Sequence, residues 1–296
     1  MRVGLVGFGY WGKIIFTNLS SLVDEIIIVD SKVIDDRIKY TDYKRLLEEN
    51  ISHVFIVTPV SNHFECVEFF LKNKINVFCE KPLTLEINTT NYLYEMAKEN
   101  KINLFVDWIF TFNKAVNYID YLIRNLNLKP INIVMNRLNK GPVRYDTDAK
   151  SDLSSHDLSI ISYLFPSENL LNVEILDFKR NLKSVQNDSS IIILNFEKFN
   201  VQINSSWEYG HKDRICTFEF DKGLLIWDDN SMGLDVRFEI GDLTQFSFFV
   251  SHFLYDSPLK DSLHTFLNTN NFDYEKQKKI TLDVITNLQK NYENTI

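Results

Sequence analysis

The stretch RVGLVGFGYWGK, Arg2–Lys13, decides how the rest of the chain is read. A short apolar run ends in Gly7, Gly9 and Gly12, spaced as GxGxxG, and a helix-like pattern follows at once. Alone that spacing says little; between a strand and a helix the three glycines meet three separate needs. The first permits a tight turn, the second lets the backbone approach a pyrophosphate, and the third lets helix and strand pack closely. The free N–H groups of the helix start would then face the phosphates. Only nine glycines occur in 296 residues and three of them form this motif, which argues against a chance cluster.

Working outward, short β-rich runs alternate with helical patterns over the first hundred residues. EIIIVD, HVFIVT, INVFCE and INLFVD read as strands, separated by helix-like WGKIIFTNLSSL, a weak helix near DYKRLLEEN, then NHFECVEFFLKN and LEINTTNYLYEMAKEN. Strands that are apolar throughout, with helices between them, predict a parallel sheet covered on both faces. The expected fold is therefore α/β, with an N-terminal Rossmann-type doubly wound parallel sheet over residues 1–110. Ligands of such sheets lie beyond the carboxyl ends of the strands. The residues expected around a dinucleotide are Gly7, Phe8, Gly9, Tyr10, Trp11 and Gly12 in the first turn, then Asp30 and Ser31. Thr58, Pro59, Asn62 and His63 follow after HVFIVT, and Glu80 and Lys81 after INVFCE. Asp30 ends its strand where an acid accepts from ribose hydroxyls and repels a 2′-phosphate, favouring NAD over NADP. The competing reading of Asp30 is a turn or helix-cap aspartate, and Lys32 leaves room for NADP.

From about Asn113 the rhythm changes. A helix at NKAVNYIDYLIRNL precedes the strand INIVMNRL, a helix begins near Asp152, and NVEILDFK, SIIILNFE, NVQINSSW, ICTFEF, GLLIWDD and DVRFEI follow as strands. Strands joined by short polar turns predict a large, mostly antiparallel open sheet with helices on one face. Residues 111–296, including two late helices around PLKDSLHTFLN and YEKQKKITLDVITNLQKNY, are expected to form one α+β domain for substrate binding and oligomerisation. The sheet alternates apolar and polar residues and helices are too few to cover both faces, so a homodimer or homotetramer is expected.

Composition excludes several classes. A net charge of -8 without a basic tract argues against nucleic-acid and anionic-membrane partners. The start resembles neither a signal peptide nor a membrane span, so a soluble cytoplasmic protein is expected. Cys66, Cys79 and Cys216 are odd in number and far apart, which supports reduced, buried thiols and neither a disulfide framework nor a metal site.

The segment SDLSSHDLS, Ser151–Ser159, admits two readings. Asp152 and His156, four residues apart on one helical face, are either a capped helix entering the core or a reactive pair at a helix end. Position in the whole chain favours the second. GFGYWG, TPVSNH, CEKPLT and DLSSHDLSI, in this order and at these separations, resemble the Gfo/Idh/MocA family of NAD(P)-dependent oxidoreductases. The similarity continues through SSWEYGHKDRICTFEFDKGLLIWDD and SPLKDSLHTFLN. Within the family, VDWIFTFNKAV and HDLSI look closest to members that oxidise the 3-hydroxyl of nucleotide-linked sugars.

The resemblance implies that Lys81, Asp152 and His156 surround a reacting carbon. His156 would take the hydroxyl proton while hydride passes to nicotinamide, Lys81 would stabilise the oxygen, and Asp152 would orient substrate or imidazole. Three positions depart from the pattern. Ser154 stands where members usually have Gly, Ser151 where nucleotide-sugar members often carry Trp, and Trp108 where they carry His or a small polar residue. The readings carried forward are a nucleotide-linked sugar dehydrogenase, an inositol, aldose or small-hydroxy-compound dehydrogenase of the same fold, and a non-catalytic NAD-binding regulator.

Overall fold

The computed structural model describes residues 1–144, 147–230, 233–240, 244–250, 257–268 and 272–289, with only the backbone path for 233, 235–240 and 244–250. The first of two compact units takes Met1–Ile109 and Ser257–Thr286; the second takes the described residues between Phe110 and Val250 and residues 287–289.

In the first unit six strands run β1 (Arg2–Val6), β2 (Glu25–Val29), β3 (Ile38–Tyr40), β4 (His53–Ile56), β5 (Asn76–Cys79) and β6 (Leu104–Val106). Their spatial order is β3-β2-β1-β4-β5-β6 and all neighbours are parallel. The order reverses at β1, so the turn leaving β1 opens at the place where such sheets bind ligands. The helices α1 (Tyr10–Leu19), α2 (His63–Lys72) and α3 (Ile87–Asn100) make the crossovers. Every residue of β4 is buried, as apolar strands covered on both faces require. The weak helix near DYKRLLEEN is a 3₁₀ segment, Tyr43–Glu49, whose start is capped by Asp42 accepting from the Lys44 N–H.

The late helices correct the expectation that residues 111–296 form one domain. They are α6 (Pro258–Leu267) and α7 (Tyr274–Gln289), and Ser257–Thr286 belongs to the first unit. Phe266 of α6 sits 5.4 Å from the Phe55 ring and 5.7 Å from both Phe78 and Phe105. These aromatic side chains of neighbouring strands need a cover, and α6 supplies it. On α7, the Gln277 amide accepts from the Val106 N–H at 3.3 Å and donates to the Val106 carbonyl at 2.8 Å. Gln277 thus stands in for a strand partner at the edge of β6. Periodicity identifies an amphipathic helix but not the sheet it covers, so the sequence misplaced both.

The second unit holds α4 (Lys114–Asn125), β7 (Pro130–Lys140), α5 (Ser155–Leu164) and then β8 (Leu170–Phe178), β9 (Ser189–Phe196), β10 (Asn200–Ser206), β11 (Glu208–Asp213), β12 (Ile215–Phe220), β13 (Gly223–Asp228), β14 (Gly233–Ile240) and β15 (Thr244–Val250). They form a nine-stranded sheet ordered β15-β14-β13-β12-β7-β10-β9-β8, with β11 also on β7. Only β7 and β10 pair in parallel; the other pairs are antiparallel. Along β7, Ile133, Met135 and Arg137 are buried while Asn132, Val134 and Asn136 are not, so one face of the sheet is a core. Strand β11, EYGHKD, escaped the sequence reading because it is polar on both faces and shows no alternation. No helix of the described residues is long and apolar enough to cross a membrane.

Removing the Phe266 ring tests the role of the returning helices. Phe266→Ala should cost about 3–5 kcal/mol, the usual range for a buried aromatic, as measured by urea unfolding. A loss below roughly 1 kcal/mol would mean α6 does not hold the first unit together.

Candidate functional site

The glycine turn is built by steric exclusion. Gly7 has φ +99°, and a side-chain carbon there would meet the Val57 carbonyl oxygen at 2.6 Å. A carbon on Gly12 would meet the Gly7 carbonyl oxygen at 2.2 Å, so α1 can approach β1 only without one. Gly9 differs: nothing lies within 4 Å of the equivalent position. Packing within the chain does not require a glycine there, whereas the close approach of a ligand does. The first helical hydrogen bond of α1 runs from Lys13 N–H to the Gly9 carbonyl at 3.1 Å, leaving the N–H groups of Tyr10, Trp11 and Gly12 at the helix start. No acidic residue occupies that first turn. These features fit a pyrophosphate.

Asp30 holds this turn in place. Its carboxylate accepts from the N–H groups of Phe8 at 2.7 Å, Lys32 at 2.7 Å and Val33 at 2.8 Å. Burial pushes its pKa up, but the three donors outweigh that effect and keep it below the ordinary carboxylate range. The Phe8 N–H is therefore already committed, and the Phe8 ring is buried under the Arg37 guanidinium at 4.7 Å. Phe8 is a support of the turn.

At the neighbouring strand ends, Trp11 donates its indole N–H to Glu80. His63 is 1% exposed, with Nδ1 2.9 Å from the Pro82 carbonyl oxygen and Nε2 2.8 Å from the Thr58 carbonyl oxygen. It joins the two turns that follow β4 and β5, acting on the site from behind instead of lining it as expected. Thr58 Oγ1 is buried without a hydrogen-bond partner among the described residues, a polar atom left for a ligand. Ser31, Pro59 and Asn62 are exposed, and Lys81 is half-buried. Trp108 lies in the core of the first unit, its indole N–H donating to Thr281 at 2.8 Å.

One strand over from Glu80 is an acid the sequence reading passed by. Cys79 pairs with Val106, so Glu80 and Asp107 come next to each other beyond β5 and β6. Asp107 is 1% exposed; Oδ1 accepts from Ser262 at 2.6 Å and Oδ2 has no hydrogen-bond partner. Burial, and then the Glu80 charge, push its pKa far above the ordinary range.

In the second unit, α5 begins from a π-turn, Lys150–Ser154, a distortion often found at functional sites. Asp148 is the cap, accepting from the Ser151 N–H at 2.7 Å, so Asp152 is not needed for that task. The Asp152 carboxylate instead receives the Trp207 indole N–H at 3.3 Å and lies 3.6 Å from Arg144. Ser154, in place of the usual glycine, is buried and hydrogen-bonded to Ser205 of β10 at 2.7 Å. Half-buried His156 packs its ring edge-on against Phe110 at 5.1 Å. The next residue, Asp157, is buried and takes Arg137 of β7 through two bonds of 2.9 and 2.6 Å. Burial pulls the Arg137 pKa down, but the Asp157 carboxylate more than compensates and raises it. Arg137 also stacks on Phe110 at 4.4 Å.

The structure thus gathers the glycine turn, Thr58, Glu80 and His63 around the strand ends of the first unit. Lys81 belongs to that unit, and Asp152 and His156 to the second. The supports Asp148, Arg137, Asp157 and Trp207 gave no sequence signal, because each matters only through a partner far along the chain. Asp107 was readable only as the end of a strand.

Fold and turn together define a dinucleotide-binding α/β protein with an α+β second unit. Residues 1–108 match the model of the Gfo/Idh/MocA oxidoreductase family with an NAD-binding Rossmann fold. The chain is 26% identical over 253 residues to myo-inositol 2-dehydrogenase of Thermotoga maritima, a match covering 77% of this chain and 75% of that protein. It is 27% identical over 177 residues to UDP-N-acetylglucosamine 3-dehydrogenase of Acidithiobacillus ferrooxidans, covering 57% of this chain and 55% of that one. A solved structure of the latter shares the fold with a TM-score of 0.83 at 19% identity, covering 98% of this chain and 99% of that one.

Asp107 yields a signed pH prediction. In the unfolded chain it ionises near pH 4, whereas burial holds its pKa in the fold well above that, so its cost to stability is absent at low pH and grows as pH rises toward the folded pKa. Asp107→Asn keeps an acceptor for Ser262 and removes that cost. Its Tm should equal or fall below wild type at pH 4 and exceed it by roughly 2–8 °C at pH 8; a constant offset at both pH values would refute the neutral carboxyl.

Proposed function

We propose that this protein is an NAD-dependent dehydrogenase of a secondary hydroxyl on a polyhydroxylated ring, a nucleotide-linked sugar in the first instance. The observation that carries the reading is the position of His156. It stands on a helix opened by a π-turn, between Asp152, held by Trp207, and the Asp157 pair with Arg137. NAD, when bound, supplies the carbon that accepts the hydride. Gly9 leaves the phosphates room, the start of α1 offers N–H groups, and Asp30, besides bracing the turn, accepts from the adenosine ribose. NADP is disfavoured because its phosphate would meet that carboxylate.

His156 takes the proton of the substrate hydroxyl. Lys81 holds the same oxygen and offsets its developing negative charge. Asp152 orients the imidazole or a substrate hydroxyl. The relatives named for myo-inositol and for UDP-N-acetylglucosamine both act on rings bearing secondary hydroxyls, and an inositol is the second substrate class supported. Three buried free thiols suit a reducing cytoplasm.

The second unit is also the proposed oligomer surface. Leu176 is 60% and Ile215 39% exposed beside half-exposed Val134, Ile191, Ile193 and Ile226 on the face of the sheet opposite α5. A second copy covering this face would make a homodimer or homotetramer.

Incubation with NAD and a panel of nucleotide sugars and inositols, read by mass spectrometry, should reveal a product lighter by two hydrogens. Lys81→Ala and His156→Ala should each lower turnover by roughly 100- to 10,000-fold with NAD affinity little changed; near wild-type turnover in His156→Ala would remove it as the base. Light scattering at micromolar concentration should give a multiple of the chain mass, and a monomer would reject the oligomer surface.

A further inference from the structure

The second unit contains a guanidinium that has no carboxylate within ion-pairing distance among the described residues. Asp213 of β11 pairs with Leu138, and Cys216 of β12 pairs with Met135, so both registers set Arg214 opposite Arg137 on β7. Residues opposite each other on antiparallel strands share a face of the sheet, with Cβ atoms about 4.5–5.5 Å apart. The shared face is the one on which Arg137 meets Asp157 of α5, next to His156. The side-chain contact of Arg214 agrees with this placement. Its Nη2 donates at 2.6 Å to Oδ1 of Asn139, two residues beyond Arg137 and therefore on the same face of β7.

The two arginines differ in how they are satisfied. Arg137 has a bidentate carboxylate. Half-buried Arg214 has, among the described residues, one neutral amide acceptor and no carboxylate within ion-pairing distance. Burial, and then repulsion from Arg137, pull its pKa down to about 10. The charged groups in its field are Asp157, Asp229 and Asp152. Asp157 is committed to Arg137, Asp152 lies beside Arg144, and the Asp229 carboxyl is raised in pKa by its own burial. A partly desolvated arginine opposite another arginine costs stability, and a methionine or glutamine would fit the strand more cheaply. Its fork of N–H donors suits a planar or tetrahedral oxyanion.

We propose that Arg214 is a specificity-determining residue that binds an oxyanion of the substrate, the carboxylate of a sugar acid or a phosphoryl group of a nucleotide-linked sugar. The assignment rests on the reading above that the α5 face takes the substrate. It narrows the substrate class to anionic rings over neutral ones.

Binding separates this assignment from the catalytic one. Calorimetry on the NAD-loaded protein compares glucose, glucuronate and UDP-glucose, the last two distinguishing carboxylate from phosphoryl recognition. Wild type should bind at least one anionic ligand about 10- to 100-fold more tightly than glucose, the worth of charged hydrogen bonds. In Arg214→Met that ratio should fall toward one, and Arg214→Lys should recover part of it, with melting curves confirming that both variants fold. A wild type without preference for either anion, or a preference that survives in Arg214→Met, overturns the proposal. The dehydrogenase reading is tested separately by the substrate panel, and its failure there would leave the binding ratio as the measure of Arg214.

Discussion

The buried pair of Arg137 with Asp157 is the interaction on which the second unit depends. It ties α5 to the central strand of a nine-stranded sheet. Breaking such a pair by removing one partner leaves a buried charge, at about 3–5 kcal/mol. Its value to the protein is positional. Asp157 follows His156 directly, so anchoring its carboxylate limits how α5 can rotate, and Phe110 lies between the Arg137 guanidinium and the His156 ring. The imidazole is thereby held by aromatic packing and a neighbouring backbone fixed by charge, without having to be buried itself.

The first unit solves a similar problem with backbone contacts. A nucleotide site at strand ends consists of turns, and turns need restraint. Asp30 gathers three N–H groups, one of them from Phe8 in the glycine turn. His63 bridges the carbonyls of Thr58 and Pro82, linking two turns that are adjacent only because β4 and β5 are. Both residues have a side chain capable of chemistry, and in both it positions the turns, which for Asp30 is in addition to the ribose contact proposed above. Asp107 runs the other way: a buried acid beside Glu80, with one oxygen unmatched, is a cost that the fold carries at the strand ends.

Two departures from the family's sequence pattern take on a structural meaning. Ser154 in place of glycine is accommodated because β10 presents Ser205 to it, so the π-turn is pinned to the sheet by a hydroxyl pair. Trp108, where the resemblance leads one to expect a polar residue, is turned into the first unit's core, hydrogen-bonded to Thr281 of α7. Neither change displaces Asp152 or His156 from the opening of α5.

The sequence by itself determined the parallel first sheet, the glycine turn, the strand ends carrying Thr58, Glu80 and Lys81, and the helix bearing His156. These are local signals: apolar runs of strand length, a steric need for glycine, and residue spacing along one helix. Tertiary structure alone decided that α6 and α7 return to the first unit, that Asp148 and not Asp152 caps the turn into α5, and that His63 faces carbonyls. It alone set Arg214 opposite Arg137, a juxtaposition of residues 77 positions apart that follows from the pairing of β11 and β12 with β7. The physical reason is common to all of them. A hydrogen bond or ion pair depends on what the fold brings within about 3–4 Å of a side chain, and pattern along the chain fixes only the side a residue presents, never the partner it meets.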